Sequence, residues 1–299
     1  MELVFKQLLI LYIFLFVGFI IGKFKKDKAP HSDILSVLIV NVFMPCKVFS
    51  TFSNNFTISY FSEKYTYLIA SLILIAILIT GAFFLSKLLS KKDYERKIYR
   101  YSFVLTNYSY LGYVLIENVF GQTVLANFIF FAIPFIVYTY TFGYAMLTGG
   151  KNPAKKLLNP ITIAILLGMI VGLTGLKLPN VISTVVSMGS ACIGPLSMLL
   201  TGITLSTFAI KELLTIKSSY IFAALRLIVI PGIVYGVCVL FGLYTLLPML
   251  LMITCMPCGL NTIVFPKLIN EDCKLGASLA LITHVLALAS LTLWLSLLL

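Results

Sequence analysis

Residues 66–90 read TYLIASLILIAILITGAFFLSKLLS, and this stretch decides the class of fold. Its only charged side chain is Lys87. A helix that crosses the hydrocarbon core of a bilayer needs about 20 mainly apolar residues. The strands of a membrane barrel instead give segments of about ten residues with alternating polarity. The stretch therefore predicts a transmembrane helix.

The whole chain has the same character. Of its 299 residues, 60% are hydrophobic and 11% are charged, and the mean hydropathy is +1.06. An average soluble domain is about 45–50% apolar and about 25% charged. Few residues remain for a separate soluble domain. The net charge of +12 resides mainly in lysines of short loops, so nucleic acid is not an expected partner.

The apolar runs predict an all-α integral membrane protein with ten transmembrane helices. The first run, residues 5–22, ends in a lysine cluster without a small-residue cleavage site, so we interpret it as a span and not as a signal peptide. The predicted spans one to ten cover residues 6–22, 34–53, 66–90, 99–120, 123–148, 158–176, 180–208, 216–242, 244–266 and 275–298.

The distribution of Lys and Arg predicts the orientation, because cytoplasmic loops retain these residues. Of the 22 in the chain, 17 follow the odd-numbered spans, and only Lys6, Lys64 and Lys177 lie on the opposite side. The 17 are Lys23, Lys25, Lys26, Lys28, Lys87, Lys91, Lys92, Arg96, Lys97, Arg100, Lys151, Lys155, Lys156, Lys211, Lys217, Lys267 and Lys274. We therefore predict a multi-pass plasma-membrane protein with both termini on the non-cytoplasmic side.

The chain divides into two halves of five spans. Residues 1–148 form the first predicted five-helix repeat, residues 149–157 a cytoplasmic linker, and residues 158–299 the second repeat. An odd number of spans per half gives the two halves opposite orientations. If the halves are related, they form an inverted repeat, which is a plan of many secondary transporters.

Spans four and nine contain the most informative residues. Residues 106–112, TNYSYLG, and residues 256–262, MPCGLNT, interrupt their apolar runs with polar and small residues. Backbone groups freed by an interruption need partners inside the protein or in a water-lined cavity. Matched interrupted helices indicate a midplane substrate site, and the alternative is that the asparagines form hydrogen bonds between helices. The candidate substrate-binding residues are Asn107, Ser109, Gly112, Pro257, Gly259, Asn261 and Pro45.

With these features the chain resembles the auxin efflux carrier family, and in particular its bacterial members. The resemblance is carried by Pro45, by Asn-x-x-x-x-Gly in span four, by Pro195, by Arg226 with Pro231, by Met-Pro-x-x-x-Asn in span nine and by residues 270–278. It covers nearly the whole chain, but Gly112 is followed by Tyr113, where members commonly have proline.

The resemblance implies a bundle similar to bile-acid:sodium symporters, with broken helices four and nine crossing at the substrate site. It also implies a scaffold of spans one, two, six and seven, and a moving unit formed by the others. Family members are often homodimers and carry organic anions. The substrate itself does not follow from membership, because members differ in what they carry.

Four ionisable residues inside spans are candidates for coupling or charge balance, since such residues are costly in a membrane. Lys47 could pair with a substrate carboxylate or extend to the interface. Glu117 could take a coupling proton or be an interfacial carboxylate. Arg226 could balance a carboxylate or bind backbone carbonyls. His284 could relay protons or form a hydrogen bond between helices.

The leading functional prediction is a secondary transporter of a small organic anion. Coupling to H⁺ or Na⁺, or uncoupled flux, all stay open, and no other cofactor and no metal site is expected. An intramembrane enzyme is disfavoured because the sequence has no H-E-x-x-H, no G-x-S-x-G and no aspartate pair within spans. The main alternative is a ligand-binding membrane sensor with a transporter fold and no flux. A channel is a further alternative.

Overall fold

The computed structural model describes residues 1–24, 28–150 and 158–299. Within these residues the regular elements are all helical, and one isolated backbone bridge joins Thr106 to Cys258. The predicted all-helical class is confirmed. Residues 151–157 of the predicted linker lie outside the described residues, as do Lys25 and Lys26.

Several helices are long and apolar enough to cross a membrane. In the described part of the chain there are six, or seven if the pair Gln122–Phe131 and Ile133–Thr148, bent by 50°, forms one span. Pro160–Thr174 is a shorter apolar helix of 15 residues. The six are Glu2–Phe24, Asp33–Asn55, Ile58–Leu89, Asn180–Ser206, Lys217–Leu240 and Lys274–Ser296.

Predicted spans four and nine do not form continuous helices. Span four consists of helix Asp93–Val104, a π-helical turn Tyr108–Gly112 and helix Tyr113–Phe120. Span nine consists of helices Leu247–Thr254 and Asn261–Lys267. These pieces are too short to count as spans by length, so the total of ten spans stays a prediction.

Prolines stand where helical segments begin. They occupy the first two positions of segments Met44–Asn55, Ile133–Tyr138, Ile230–Leu240 and Leu247–Thr254. Pro134 and Pro248 lack the N–H that a helix start leaves unpaired. Pro45 and Pro231 instead lie inside the continuous helices Asp33–Asn55 and Lys217–Leu240, shortly after a π-helical turn. The remaining irregularities are the π-helical turns Ile39–Phe43, Thr139–Gly143 and Leu225–Val229, and the short helices Tyr144–Thr148 and Ile210–Leu214.

Glycines allow two pairs of helices to approach closely. A Cβ atom on Gly168 would lie 2.9 Å from the carbonyl oxygen of Phe49, so spans two and six touch backbone to backbone. Gly18 and Gly202 make an even closer approach between spans one and seven. Small residues at such contacts are typical of membrane helix packing. If span one corresponds to span six and span two to span seven, the contact between spans one and seven corresponds to the contact between spans six and two. The two close contacts are thus related by the predicted repeat.

Candidate functional site

The two interruptions lie in contact with each other. Helix Asp93–Val104 ends, and the chain runs without helix through residues 105–107, where Thr106 pairs with Cys258 of the second interruption. The backbone N–H of Asn107 donates to the carbonyl oxygen of Pro257 at 2.8 Å. Each interruption therefore provides a backbone partner for the other, as a bilayer environment requires.

Neighbouring side chains satisfy further backbone groups at the interruptions. The N–H of Cys258 donates to Thr283 Oγ1 at 3.0 Å, and Thr106 Oγ1 donates to the carbonyl oxygen of Ile253 at 3.2 Å. The carbonyl oxygen of Asn107 accepts from the N–H of Gly112 at 3.1 Å. These bonds hold the non-helical segments in one defined conformation.

The side chain of Asn107 contacts His284. The amide nitrogen lies 3.0 Å from His284 Nε2, and His284 Nδ1 lies 2.7 Å from the carbonyl oxygen of Ala280. A carbonyl oxygen only accepts, so Nδ1 carries the ring proton and Nε2 accepts from the amide of Asn107. Both side chains are buried, at 2% exposed. The structure thus joins two predicted site residues that are 177 positions apart.

Asn261 has a different partner. Its amide nitrogen donates to the hydroxyl of Tyr101 at 3.0 Å, and its side chain is half-buried. Tyr101 belongs to the helical part of span four that precedes the first interruption. The two asparagines occupy corresponding places in the two halves but make unrelated contacts.

Both interruptions line a small cavity of about 30 Å³. This volume holds about two water molecules. Four of the predicted site residues, Asn107, Ser109, Gly259 and Asn261, contribute to the lining. The other lining residues are Tyr101, Leu105, Thr106, Tyr108, Tyr110, Thr139, Tyr140 and Leu260.

The other three predicted binding residues do not line this cavity. Pro257 contributes the carbonyl group that Asn107 binds, and Gly112 packs near Met256. Pro45 lines a separate open groove that it shares with Pro160. Sequence reasoning missed most of the hydroxyl-bearing lining, because nothing in the apolar runs distinguishes a tyrosine in the lining from one in the packing.

The charged candidates Lys47 and Glu117 form an ion pair with each other. Their side chains are 3% and 20% exposed, and Gln122 also donates to the carboxylate of Glu117. The pair joins helix Met44–Asn55 to helix Tyr113–Phe120, which follows the first interruption. Neither side chain lines the central cavity.

Arg226 is fully buried and contacts the helices that precede the two interruptions. Nη1 donates to the carbonyl oxygen of Phe103 at 3.1 Å, and Nη2 donates to that of Ile253 at 3.2 Å. Its Nε has no acceptor among the described residues. The sequence left two possible partners for Arg226, a carboxylate or backbone carbonyl groups. The structure shows backbone carbonyl groups.

Metal-ligating side chains are dispersed in the described ranges. No group of three or more His, Cys, Asp or Glu residues there could hold a metal ion. The six cysteines are free, and Cys255 and Cys258 are buried within the second interruption. These two cysteines pack where the two backbones approach closely.

An interrupted pair of helices, one from each half of a helical membrane bundle, is a feature of many secondary transporters. A family model described as membrane transport protein matches the chain twice, over residues 3–154 and 145–295, so the chain belongs to this family. The predicted membership in the auxin efflux carriers is confirmed. The double match also shows that the chain contains a duplicated repeat.

A curated relative covers the chain almost from end to end. The chain is 29% identical over 299 residues to an uncharacterized transporter of Methanocaldococcus jannaschii, and the match covers 96% of each protein. The relative's name agrees with the family in pointing to transport and not to catalysis.

Proposed function

We propose that the chain is a secondary transporter of a small organic anion, with a carboxylate as the charged group, and that it works by alternating access. The observation that carries this proposal is the cavity formed jointly by the two interruptions, one from each repeat. In transporters with broken helices, the substrate binds near the midplane where the repeats meet. The substrate would bind between Asn107 and Asn261.

The chemistry of the lining favours an anion over a cation. Seven lining residues carry a hydroxyl group and two carry an amide, and each of these groups is able to donate a hydrogen bond to a carboxylate. Among the described lining residues there is no carboxylate that could balance a cation. The nearby charge is that of Arg226, because its guanidinium shares the carbonyl oxygen of Ile253 with the lining residue Thr106.

The size of the cavity supports alternating access. At about 30 Å³ the cavity is too small for an organic carboxylate, so this conformation is closed to such a substrate. Binding then requires the helices around the interruptions to move relative to their neighbours. The ion pair between Lys47 and Glu117 joins span two, part of the expected scaffold, to span four, part of the expected moving unit. In this proposal the pair stabilises the closed conformation.

The proposal is tested by flux in proteoliposomes. Purified protein is first screened by thermal shift against small carboxylates, indole acids and bile acids, since a ligand of the folded state raises its melting temperature. Each stabilising anion is then supplied in radiolabelled form outside the vesicles, at two pH values and with or without Na⁺. We expect saturable uptake that Asn107→Ala and Asn261→Ala each reduce about tenfold or more, because each removes a donor to a buried charged ligand.

Asn118→Ala is the matched control. Its amide donates to Gln7 at an exposed position away from the cavity, so this variant should transport at the wild-type rate. Wild-type rates in both Asn107→Ala and Asn261→Ala would contradict the proposed site. Saturable binding without uptake would instead identify a ligand sensor, and unsaturated current far above carrier rates would identify a channel.

A further inference from the structure

Arg226 contacts both interrupted helices. Arg226 is 0% exposed and lies in the π-helical turn Leu225–Val229 of span eight. Its two terminal nitrogens donate to carbonyl oxygens in the last turns of helices Asp93–Val104 and Leu247–Thr254. One side chain therefore joins the carboxyl ends of the helices that precede the two interruptions.

The charge of Arg226 is not balanced by a carboxylate. Among the residues that the structure describes, no Asp or Glu lies within ion-pair distance of its guanidinium. A buried charge without a partner is costly. The carboxyl end of a helix carries about half a negative charge, so two such ends together offset about one positive charge. The two helix ends are thus the counter-charge of Arg226.

Carbonyl groups at these places have a known use in transporters with broken helices. Unwound backbone carbonyls and the carboxyl ends of half-helices coordinate the coupling cation there. In this chain a guanidinium donates to the corresponding groups, and the carbonyl oxygen of Ile253 also accepts from Thr106. Both acceptor positions of that oxygen are then in use. An alkali cation would have to displace a side chain that stays charged at every physiological pH.

We propose that Arg226 is a resident cation that takes the place of a bound coupling ion, so that transport by this chain requires no Na⁺. A tethered cation neutralises the two helix ends in every state of the cycle, but it cannot cross the membrane with the substrate. It therefore acts as a positioning residue that fixes the two interruptions relative to each other. The flux part of this inference rests on the proposed function, whereas the structural part does not.

The first arm of the test replaces the cation in solution. Wild-type protein is melted, and assayed for anion flux, in sodium chloride and in N-methyl-D-glucamine chloride of equal ionic strength. We expect the same melting temperature and the same flux in both salts. A Na⁺-dependent rise in either quantity would overturn the inference.

The second arm replaces the side chain. We expect Arg226→Met to lower the melting temperature and to reduce flux about tenfold or more, because two buried carbonyls lose charged donors. Millimolar methylguanidinium should restore part of the melting temperature of Arg226→Met and leave the wild type unchanged. Arg100→Met is the matched control, because Arg100 donates to Ser86 away from the interruptions and its loss should not be rescued.

Several outcomes decide between the proposals. If Arg226→Met does not fold, Arg226→Lys keeps the charge without the planar fork. We then expect a folded protein with a melting temperature below that of the wild type, because the charge remains but one of the two carbonyl groups loses its donor. Wild-type melting and flux in Arg226→Met would overturn the resident-cation role. Rescue of melting by methylguanidinium, together with no flux of any anion in the wild type, would preserve that role and contradict the proposed function.

Discussion

The first interruption is shorter than the second, and its asparagine is more deeply buried. It is three residues long, residues 105–107, and its Asn107 is buried against His284. The second covers residues 255–260, and Asn261, which follows it, is half-buried against Tyr101. Both interruptions are buried, but they differ in length and in the partners of their asparagines.

The helices that follow the interruptions differ in the same direction. Glu117, in the helix after the first, pairs with the buried Lys47. Lys267, in the helix after the second, pairs with Asp33 at 3.1 Å, and these side chains are 50% and 62% exposed. Both pairs end on span two. The ion pair beside the first interruption is therefore shielded from solvent, whereas the pair beside the second is exposed.

The largest expected difference concerns the two ion pairs. Lys47→Met leaves the carboxylate of Glu117 in a largely buried place, and we expect it to cost about 3 kcal/mol of stability. Lys267→Met breaks an exposed pair and should cost about 0–1 kcal/mol. Thermal melting of the two purified variants measures the difference.

A double variant separates pairing from packing. Lys47→Met combined with Glu117→Gln removes both charges, so it should be more stable than Lys47→Met alone. Equal melting temperatures for Lys47→Met and Lys267→Met would show that the buried pair contributes no more to stability than the exposed pair.

The next effect concerns the two asparagines. Asn107→Ala leaves the buried Nε2 of His284 without its donor, and we expect a cost of about 1–3 kcal/mol. Asn261→Ala should cost about 1 kcal/mol or less, because the hydroxyl of Tyr101 lines the cavity and can bind water there. The measurement is thermal melting in the absence of substrate.

A double-mutant cycle of Asn107→Ala with His284→Ala tests the cause. Residues in direct contact show coupling of about 0.5–3 kcal/mol, whereas independent sites add. Additive effects in this cycle would mean that the contact with His284 is not what stabilises the first interruption.

The smallest effect concerns two glycines. A Cβ atom on Gly259 would lie 3.2 Å from the backbone oxygen of Thr106, whereas one on Gly112 would lie 3.5 Å from the flexible end of Met256. We expect Gly259→Ala to cost about 1 kcal/mol by overpacking. Gly112→Ala should be neutral or stabilising by up to about 0.5–1 kcal/mol, since Gly112 has helical backbone angles. The reverse order of melting temperatures would place the closer backbone contact at Gly112.

Local sequence was sufficient for the class of fold and for the interruptions. Apolar runs longer than 20 residues predict membrane helices, and the polar and small residues around Asn107 and Asn261 weaken the helix where the structure shows it broken. The number of spans is harder to establish. Interrupted segments such as spans four and nine leave helical pieces that are individually too short to span a bilayer.

Contacts between distant residues were beyond sequence reasoning. Lys47 and Glu117 each looked like a separate candidate for the interface or the site, since one sequence shows a charge but not the group that faces it. The structure pairs them across 70 positions. Likewise, His284 was a candidate with no named partner, and only the fold brings it to Asn107.

The bond between the N–H of Asn107 and the carbonyl of Pro257 has a consequence for assembly. The first repeat provides the donor and the second the acceptor. A half-length polypeptide in a bilayer therefore has an unpaired backbone group that the other half can pair. Two fragments made from a gene cut between the repeats should therefore recombine when they are expressed together, and each should be degraded when it is made alone. The same dependence gives a half-length ancestor a reason to pair with its own copy before duplication joined the two copies into one gene.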